Sequence, residues 1–182
     1  MNTSNTPMDP AMSAPSRSAL LSVRHLSTHF AVRNGTIKAV DDVSFDVEHG
    51  QTLCVVGESG SGKSVTARSI LQIVDEPGRI MGGSMLFNPP GGASVDLAKL
   101  HPRSKEIRQV RGAAIAMIFQ EPMSSLSPVH TVGNQITEVL RLHRNMSKAE
   151  SRARCIELLS QVEIPHPERA IDRYTFEFSG GM

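Results

Sequence analysis

The sequence predicts an α/β fold, and three observations carry that expectation. Between Leu21 and Val47 apolar and polar residues alternate, most cleanly at Val43, Phe45 and Val47, the period of half-buried strands. Two aliphatic runs, Leu53-Cys54-Val55-Val56 and Ile115-Ala116-Met117-Ile118-Phe119, read as strands buried on both faces. Helix-type segments follow both runs, and the first is joined to its run by a loop rich in glycine and serine.

Taken in order, Met1 to Ala19 is rich in Ser, Pro, Met and Asn without an apolar core, and is read as a disordered leader rather than a signal peptide or anchor. Residues 20–182 are read as one domain. An alternating segment runs from Leu21 to Phe30, Asn34-Gly35 is a hairpin turn, and extended chain resumes from Thr36 to Val40 and again through Val43–Val47. Glu48-His49-Gly50 turns the chain into the first buried-type strand, so the opening is antiparallel and attaches to a more buried sheet. A helix from Ser64 to Val74 places Ile70, Leu71 and Val74 on one face and ends at Pro77-Gly78. Ser84–Phe87 is a short strand, Pro89-Pro90-Gly91-Gly92 a surface loop, and Arg103–Arg111 a short charged helix. Beyond the second buried-type strand come Gln120, a Ser/Pro-rich loop to Pro128, and a helix from Val132 to His143. Ser147-Lys148-Ala149-Glu150 is a capping box for a helix that reaches Val162 and is stopped by Pro165 and Pro167.

Composition narrows the function classes. The 182 residues suffice for one core, and a formal net charge of +1 supplies no field for nucleic acid or an anionic membrane. No Trp and a single Tyr leave no stacking platform for single strands. No run approaches the ~20 apolar residues of a membrane span, so membrane association would come through a partner. Cys54 and Cys155 lack metal spacing and read as reduced packing residues of a reducing compartment. His25 and His29, i and i+4 in a strand, lie ~13 Å apart and are rejected as a shared metal site.

The chemistry sits at Gly57-Glu58-Ser59-Gly60-Ser61-Gly62-Lys63-Ser64, which fits the phosphate-loop pattern of Gly, four residues, then Gly-Lys-Ser or Gly-Lys-Thr. Glycines let successive backbone N–H groups converge on one anion, and the following helix aims its positive end at the same place. Lys63 can reach β- and γ-phosphate oxygens, and the Ser64 hydroxyl can ligate Mg²⁺. An ordinary Gly/Ser turn would not also have a buried-type strand before it and an amphipathic helix after it, so nucleotide binding is the expectation.

Further residue sets converge on one family. Gln120 directly follows a strand, Ser179-Gly180-Gly181-Met182 resembles the opening of a signature motif with Met where many members have Gln, and Phe30 ends the first strand segment. With the phosphate loop, these make the sequence similar to the nucleotide-binding subunits of ATP-binding cassette transporters. Met117-Ile118-Phe119-Gln120-Glu121-Pro122-Met123, Ser125-Leu126-Ser127-Pro128 and Phe178-Ser179-Gly180-Gly181-Met182 resemble the dipeptide and oligopeptide importers. Arg111-Gly112-Ala113 through Gln135-Ile136, with Arg141-Leu142-His143, is similar to the glutathione-importing group.

The resemblance implies a P-loop cassette with an antiparallel β subdomain, a core sheet and a helical subdomain, binding ATP and Mg²⁺. Residues 57–64 would hold the phosphates, with Lys63 and Gln120 catalytic and Ser64 and Gln120 on the metal. Phe30 would stack on adenine, which is worth ~1–3 kcal/mol for base stacking generally. Ser179, Gly180 and Gly181 would face the γ-phosphate of ATP on a second, head-to-tail cassette. The segment Glu121–His130 would contact membrane-spanning permease subunits, with a periplasmic solute-binding protein an indirect partner and nucleic acid none. The location implied is peripheral, at the cytoplasmic face of the inner membrane. The resemblance places the Walker B Asp, its neighbouring Glu and a switch His beyond the signature motif, so the expectation is a truncated cassette that hydrolyses no ATP at a useful rate, the complete parent being the ATPase. Taken without the resemblance, Phe30 also fits a hydrophobic plug, Gln120 a strand-end cap and Ser179-Gly180-Gly181 a plain turn. The alternative function is a cassette ATPase acting on DNA or ribosomes, disfavoured because Gln120–Ser179 has no sustained heptads and no Cys pairs, or an inactive relic.

Overall fold

A long hairpin dominates the first part of the computed structural model, which describes residues 19–121 and 125–182. Strand β1 (Ala19–Val32) pairs antiparallel with β2 (Gly35–Glu48), the two-residue turn falling on Arg33-Asn34 with Gly35 already in the ladder. Expected Thr36–Val40 and Val43–Val47 are therefore one strand. β3 (Gly78–Phe87) pairs antiparallel with the other edge of β1, and the two-residue β4 (Val95–Asp96) adds to β3, giving the order β2-β1-β3-β4. β3 begins six residues before the expected Ser84 because Gly78 already pairs with Phe30 across the ladder.

The ladder between β1 and β2 slips around His25, which with Asp42 adopts a left-handed backbone. The two residues meet across the bulge, His25 Nδ1 to Asp42 Oδ1 at 2.6 Å, while Ser27 Oγ accepts from the Asp42 N–H. The bulge breaks the strict alternation of β1, so Val23 and Leu26 both turn inward to join Leu21, Val40, Met85 and Phe87 in the core. Arg24 Nη2 bonds Asp46 Oδ2 at 2.6 Å on the neighbouring strand; that guanidinium, against an opposing effect of burial, holds the Asp46 carboxyl below its ordinary value.

Helix α1 (Lys63–Ile70) ends four residues before the expected Val74. Leu71 caps it, Gln72 takes a left-handed backbone and Ile73 N–H bonds back to Arg68 O, so Val74 lies outside the helix. Thr28 Oγ1 and Ser69 Oγ, both buried, are 2.8 Å apart and fasten α1 to β1. A 3₁₀ turn at Leu97–Lys99 buries Leu97, and α2 (Lys105–Val110) carries the chain out of this first compact unit, whose described residues end at Ile107.

The second unit, Arg108–Met182, is helical: α3 (Val132–Arg144), α4 (Lys148–Gln161) and the short α5 (Pro167–Ala170). Thr131 caps α3 through the Asn134 N–H, and Ser147 and Glu150 form the expected capping box on α4. Pro165 and Pro167 end α4 as expected, and Pro167 also opens α5, where its fixed φ and missing N–H suit the first helical position. The core gathers Cys155, Leu159, Ile164, Ala170 and Ile171, with Val132, Ile136, Ile156 and Phe178 against it. Cys155 is the buried packing residue its helix pattern predicts, and burial pushes its thiol up despite the Arg152 charge nearby. Gly133 lies so close to the Ile171 backbone that a Cβ there would stand 2.5 Å from the Ile171 oxygen.

Two expectations fail here. Residues 53–56 and 115–119 enter no ladder among the described residues, apart from one bridge between Arg111 and Ile115. Val56 is 84 % and Ile118 94 % exposed, and Cys54, expected in a packed strand, is exposed. A parallel strand draws its burial and its hydrogen bonds from neighbours brought by distant crossovers, and the described residues supply none for these runs.

Replacing Gly133 by Ala is expected to lower the stability of the second unit by about 1–3 kcal/mol through overpacking, read from its urea midpoint. In the first unit, the Arg24–Asp46 contribution is present above the ordinary aspartate value and is lost as pH falls below it through the depressed folded value. Asp46→Asn should flatten that acid limb in urea titrations between neutral and acid pH.

Candidate functional site

The phosphate loop is built against β2. Gly62 occupies the N-cap of α1 with φ 90°, and the Ala39 carbonyl lies where its Cβ would stand. Glycine alone meets both demands, a left-handed backbone and van der Waals contact with a neighbouring carbonyl. Thr66 N–H and Oγ1 both donate to Gly62 O, at 2.8 and 3.0 Å, and close the first turn. No side chain caps this helix, so its leading N–H groups face outward as donors for an anion.

Lys63 folds back over the loop. Its ammonium donates to Gly57 O and Glu58 O, each at 2.7 Å, and to Ser61 Oγ at 3.2 Å, using all three of its donors. Ser61 N–H bonds Glu58 O at 3.2 Å, which shapes residues 58–61 as a turn. The whole stretch from Gly57 to Ser61 is exposed, and so is Ser64. A phosphate oxygen is a stronger acceptor than a peptide carbonyl because it is ionised, so the ammonium gains by exchanging one for the other. The loop therefore gathers an ammonium, an uncapped helix start and an exposed hydroxyl at Ser64 suited to a hard cation.

Phe30, in the same unit, is half-buried near the end of β1. Its ring edge lies against Gly78 and is joined there by Val74; a Cβ at residue 78 would stand 2.5 Å from the ring. Both the stacking and the plug readings begin from this placement. The structure thus brings Lys63, Ser64 and residues 57–62 together on one loop.

The other expected site residues belong to the second unit. Gln120 is exposed at a bend after the run 116–119, which has no regular secondary structure, and Pro122, Met123 and Ser124 of the loop after it lie outside the described residues. Ser179, Gly180 and Gly181 are exposed and form a turn closed by Met182 N–H on Ser179 O at 3.0 Å. Phe178 anchors that turn: it packs on the helical core, and the Arg173 guanidinium lies 5.1 Å from its ring centroid. Sequence reasoning missed Ala39, whose contribution is a backbone carbonyl and leaves no side-chain signature. It also missed the Thr28–Ser69 pair, although two hydroxyls at apolar-facing positions of a strand and a helix were legible as a buried hydrogen bond.

A glycine-tight loop with a back-folded lysine at an uncapped helix start, beside an antiparallel sheet, defines the class of phosphate-loop nucleotide-binding domains. Residues 40–182 match the ABC transporter family, and the chain belongs to it. It is 46% identical over 164 residues to the dipeptide transport ATP-binding protein DppD of Haemophilus influenzae, covering 90% of this chain and 48% of that protein. Against the oligopeptide transport ATP-binding protein OppD of Bacillus subtilis the identity is 44%, over 90% of this chain and 44% of the relative. Against the glutathione import ATP-binding protein GsiA of Pectobacterium atrosepticum it is 43%, over 90% of this chain and 26% of the relative. The chain spans about half the length, or less, of these curated relatives. A dimeric structure of a bacterial ABC transporter cassette shares the fold with a TM-score of 0.73 at 21% identity, over 88% of this chain and 64% of that one. The cassette expectation is therefore met in fold class: α/β, with an antiparallel β part and a helical part.

Gly62→Ala is expected to abolish nucleotide binding, because its Cβ meets a fixed carbonyl. Gly60→Ala meets open space and carries only the left-handed backbone strain of about 1–2 kcal/mol, so it should keep measurable binding. Titration with a fluorescent ATP analogue compares the two.

Proposed function

We propose that this chain is the nucleotide-binding part of the energy-coupling ATPase subunit of a peptide-type importer. The observation that carries the proposal is the back-folded Lys63 on a glycine-tight loop at an uncapped helix start, in a chain whose relatives are named for dipeptide, oligopeptide and glutathione transport. Hydrolysis and transport are assigned to a protein of the relatives' length.

In this reading Lys63 releases the Gly57 and Glu58 carbonyls and binds the β- and γ-phosphates of ATP. The N–H groups of the first turn of α1 bind the same phosphates, and Phe30 offers its ring to the adenine. Mg²⁺, when bound, would supply positive charge against the negative charge of the phosphate oxygens. Ser64 offers its hydroxyl to the ion and Gln120 its amide oxygen, while the Gln120 amide N–H can orient water. Ser179, Gly180 and Gly181 present a hydroxyl and bare backbone donors to the γ-phosphate held by a second cassette. Residues 121–130 form the surface for the permease, which in turn receives solute from a periplasmic binding protein. The expected leader, residues 1–19, lies outside the described residues except for Ala19, which is buried in β1, and the subunit sits peripherally at the cytoplasmic face of the inner membrane. Among the described residues no helix is long and apolar enough to cross a membrane, which supports attachment through a partner.

Lys63→Ala is expected to weaken ATP binding about 10- to 100-fold, the range of a lost charge-assisted hydrogen bond, while Ser64→Ala removes mainly the part of the affinity that depends on Mg²⁺. Equilibrium binding of ATP with Mg²⁺ and with EDTA reads both. Wild-type affinity in the Lys63→Ala chain would sink the proposal.

A further inference from the structure

One side chain holds the loop that leads into α3. Gln135 Nε2 donates to Ser127 O and to His130 O, each at 3.1 Å, and Gln135 Oε1 accepts from Ser127 N–H at 2.8 Å. A primary amide has two donors and one carbonyl, and here both donors and the acceptor are used. The Ser127 hydroxyl and His130 Nδ1, 2.8 Å apart, close the loop on itself.

The first turn of α3 is also tied to the chain ahead of the Ser-Gly-Gly turn. Val132 N–H donates to Arg173 O at 2.9 Å and Gly133 N–H to Ile171 O at 2.8 Å, and Thr131 bridges to Tyr174. From there a 3₁₀ turn, Thr175–Glu177, leads to Phe178, whose N–H bonds Thr175 O at 3.2 Å. An apolar cavity of about 320 Å³ closes the circuit: Leu126 of the loop, Gln135 and Ile136 of α3, and Gly180–Met182 all line it.

We propose that Gln135 is a positioning residue that makes the placement of Ser179-Gly180-Gly181 depend on the loop at 126–130. The amide holds the loop to the first turn of α3, that turn is hydrogen-bonded to residues 171–174, and those residues lead directly to the turn bearing Ser179. A displacement that strips the amide from the loop carbonyls frees the α3 start and the cavity wall together, and re-aims the Ser179 hydroxyl. What that hydroxyl faces rests on the function proposed above; the mechanical link does not.

Gln135→Met keeps the volume of the side chain and removes all three bonds, while Gln135→Glu keeps the acceptor and sets a carboxylate against two carbonyls. Native-state hydrogen exchange of the chain should show the amides of Ser127 and Val132 and those of Phe178 and Met182 speeding up together by about tenfold in both variants, the factor for one or two net hydrogen bonds. The amides of α4 and the affinity for ATP should stay as in the wild type. In the complete ATPase, Gln135→Met should lower kcat several-fold with KM for ATP within about twofold, as for an interaction used after nucleotide binding. Faster exchange in the loop with Phe178 and Met182 unchanged overturns the proposal. So does equal loosening of α4, which would make Gln135 a general stabiliser, and so does unchanged exchange throughout. Loss of the Lys63 dependence of ATP binding would instead strike the function and leave this link standing.

Discussion

The backbone of β2 and the start of α1 touch at Gly62, where the Ala39 carbonyl fills the space a side chain would need. That contact fixes where the helix begins, and the Thr28–Ser69 hydroxyl pair fixes how it lies on the sheet. The lysine that follows the cap can then reach back to the carbonyls of Gly57 and Glu58, so the loop is shaped by a charge as well as by glycine. A charge held by neutral carbonyls is stable yet readily exchanged for an ionised acceptor.

The helical unit uses the same device of glycine at a crossing. Gly133 admits Ile171 to the start of α3, and the N–H groups of Val132 and Gly133 donate to the Arg173 and Ile171 carbonyls there. Around that crossing the polar groups are matched locally: Thr131 and Ser147 at helix starts, Arg152 bidentate on Asp172 at 2.9 and 2.7 Å, and Gln135 on the loop. The exposed ion pairs contribute little each, so the buried cluster around Cys155, Leu159 and Ile171 supplies most of the stability.

The features most legible in the sequence were those whose physics is local. The phosphate loop, the hairpin and the Ser147–Glu150 capping box depend on residues a few positions apart, and all three stand where their signals placed them, the turn of the hairpin one residue earlier. The end of α1 was misjudged because Val74 continues the helical apolar period, whereas the backbone at Gln72 turns left-handed and Val74 leaves the helix to lie beside Gly78 with the Phe30 ring. The two buried-type strands were misjudged for the opposite reason. An aliphatic run records what a segment is suited to lie beside, and Leu53–Val56 and Ile115–Phe119 meet no such neighbour among the described residues. Of the site, the phosphate-loop residues carry a sequence signal, while Ala39 acts through its backbone carbonyl and had no pattern to betray it.

The run at 53–56 bears on association. It leads straight into the phosphate loop, and among the described residues no ladder engages it. Val55 and Val56 are exposed there. An aliphatic segment with free edges is open to any strand that can pair with it. A strand that paired there would stiffen the upstream end of the loop, so whatever covers this edge also sets how firmly the Gly57 and Glu58 carbonyls are held for Lys63.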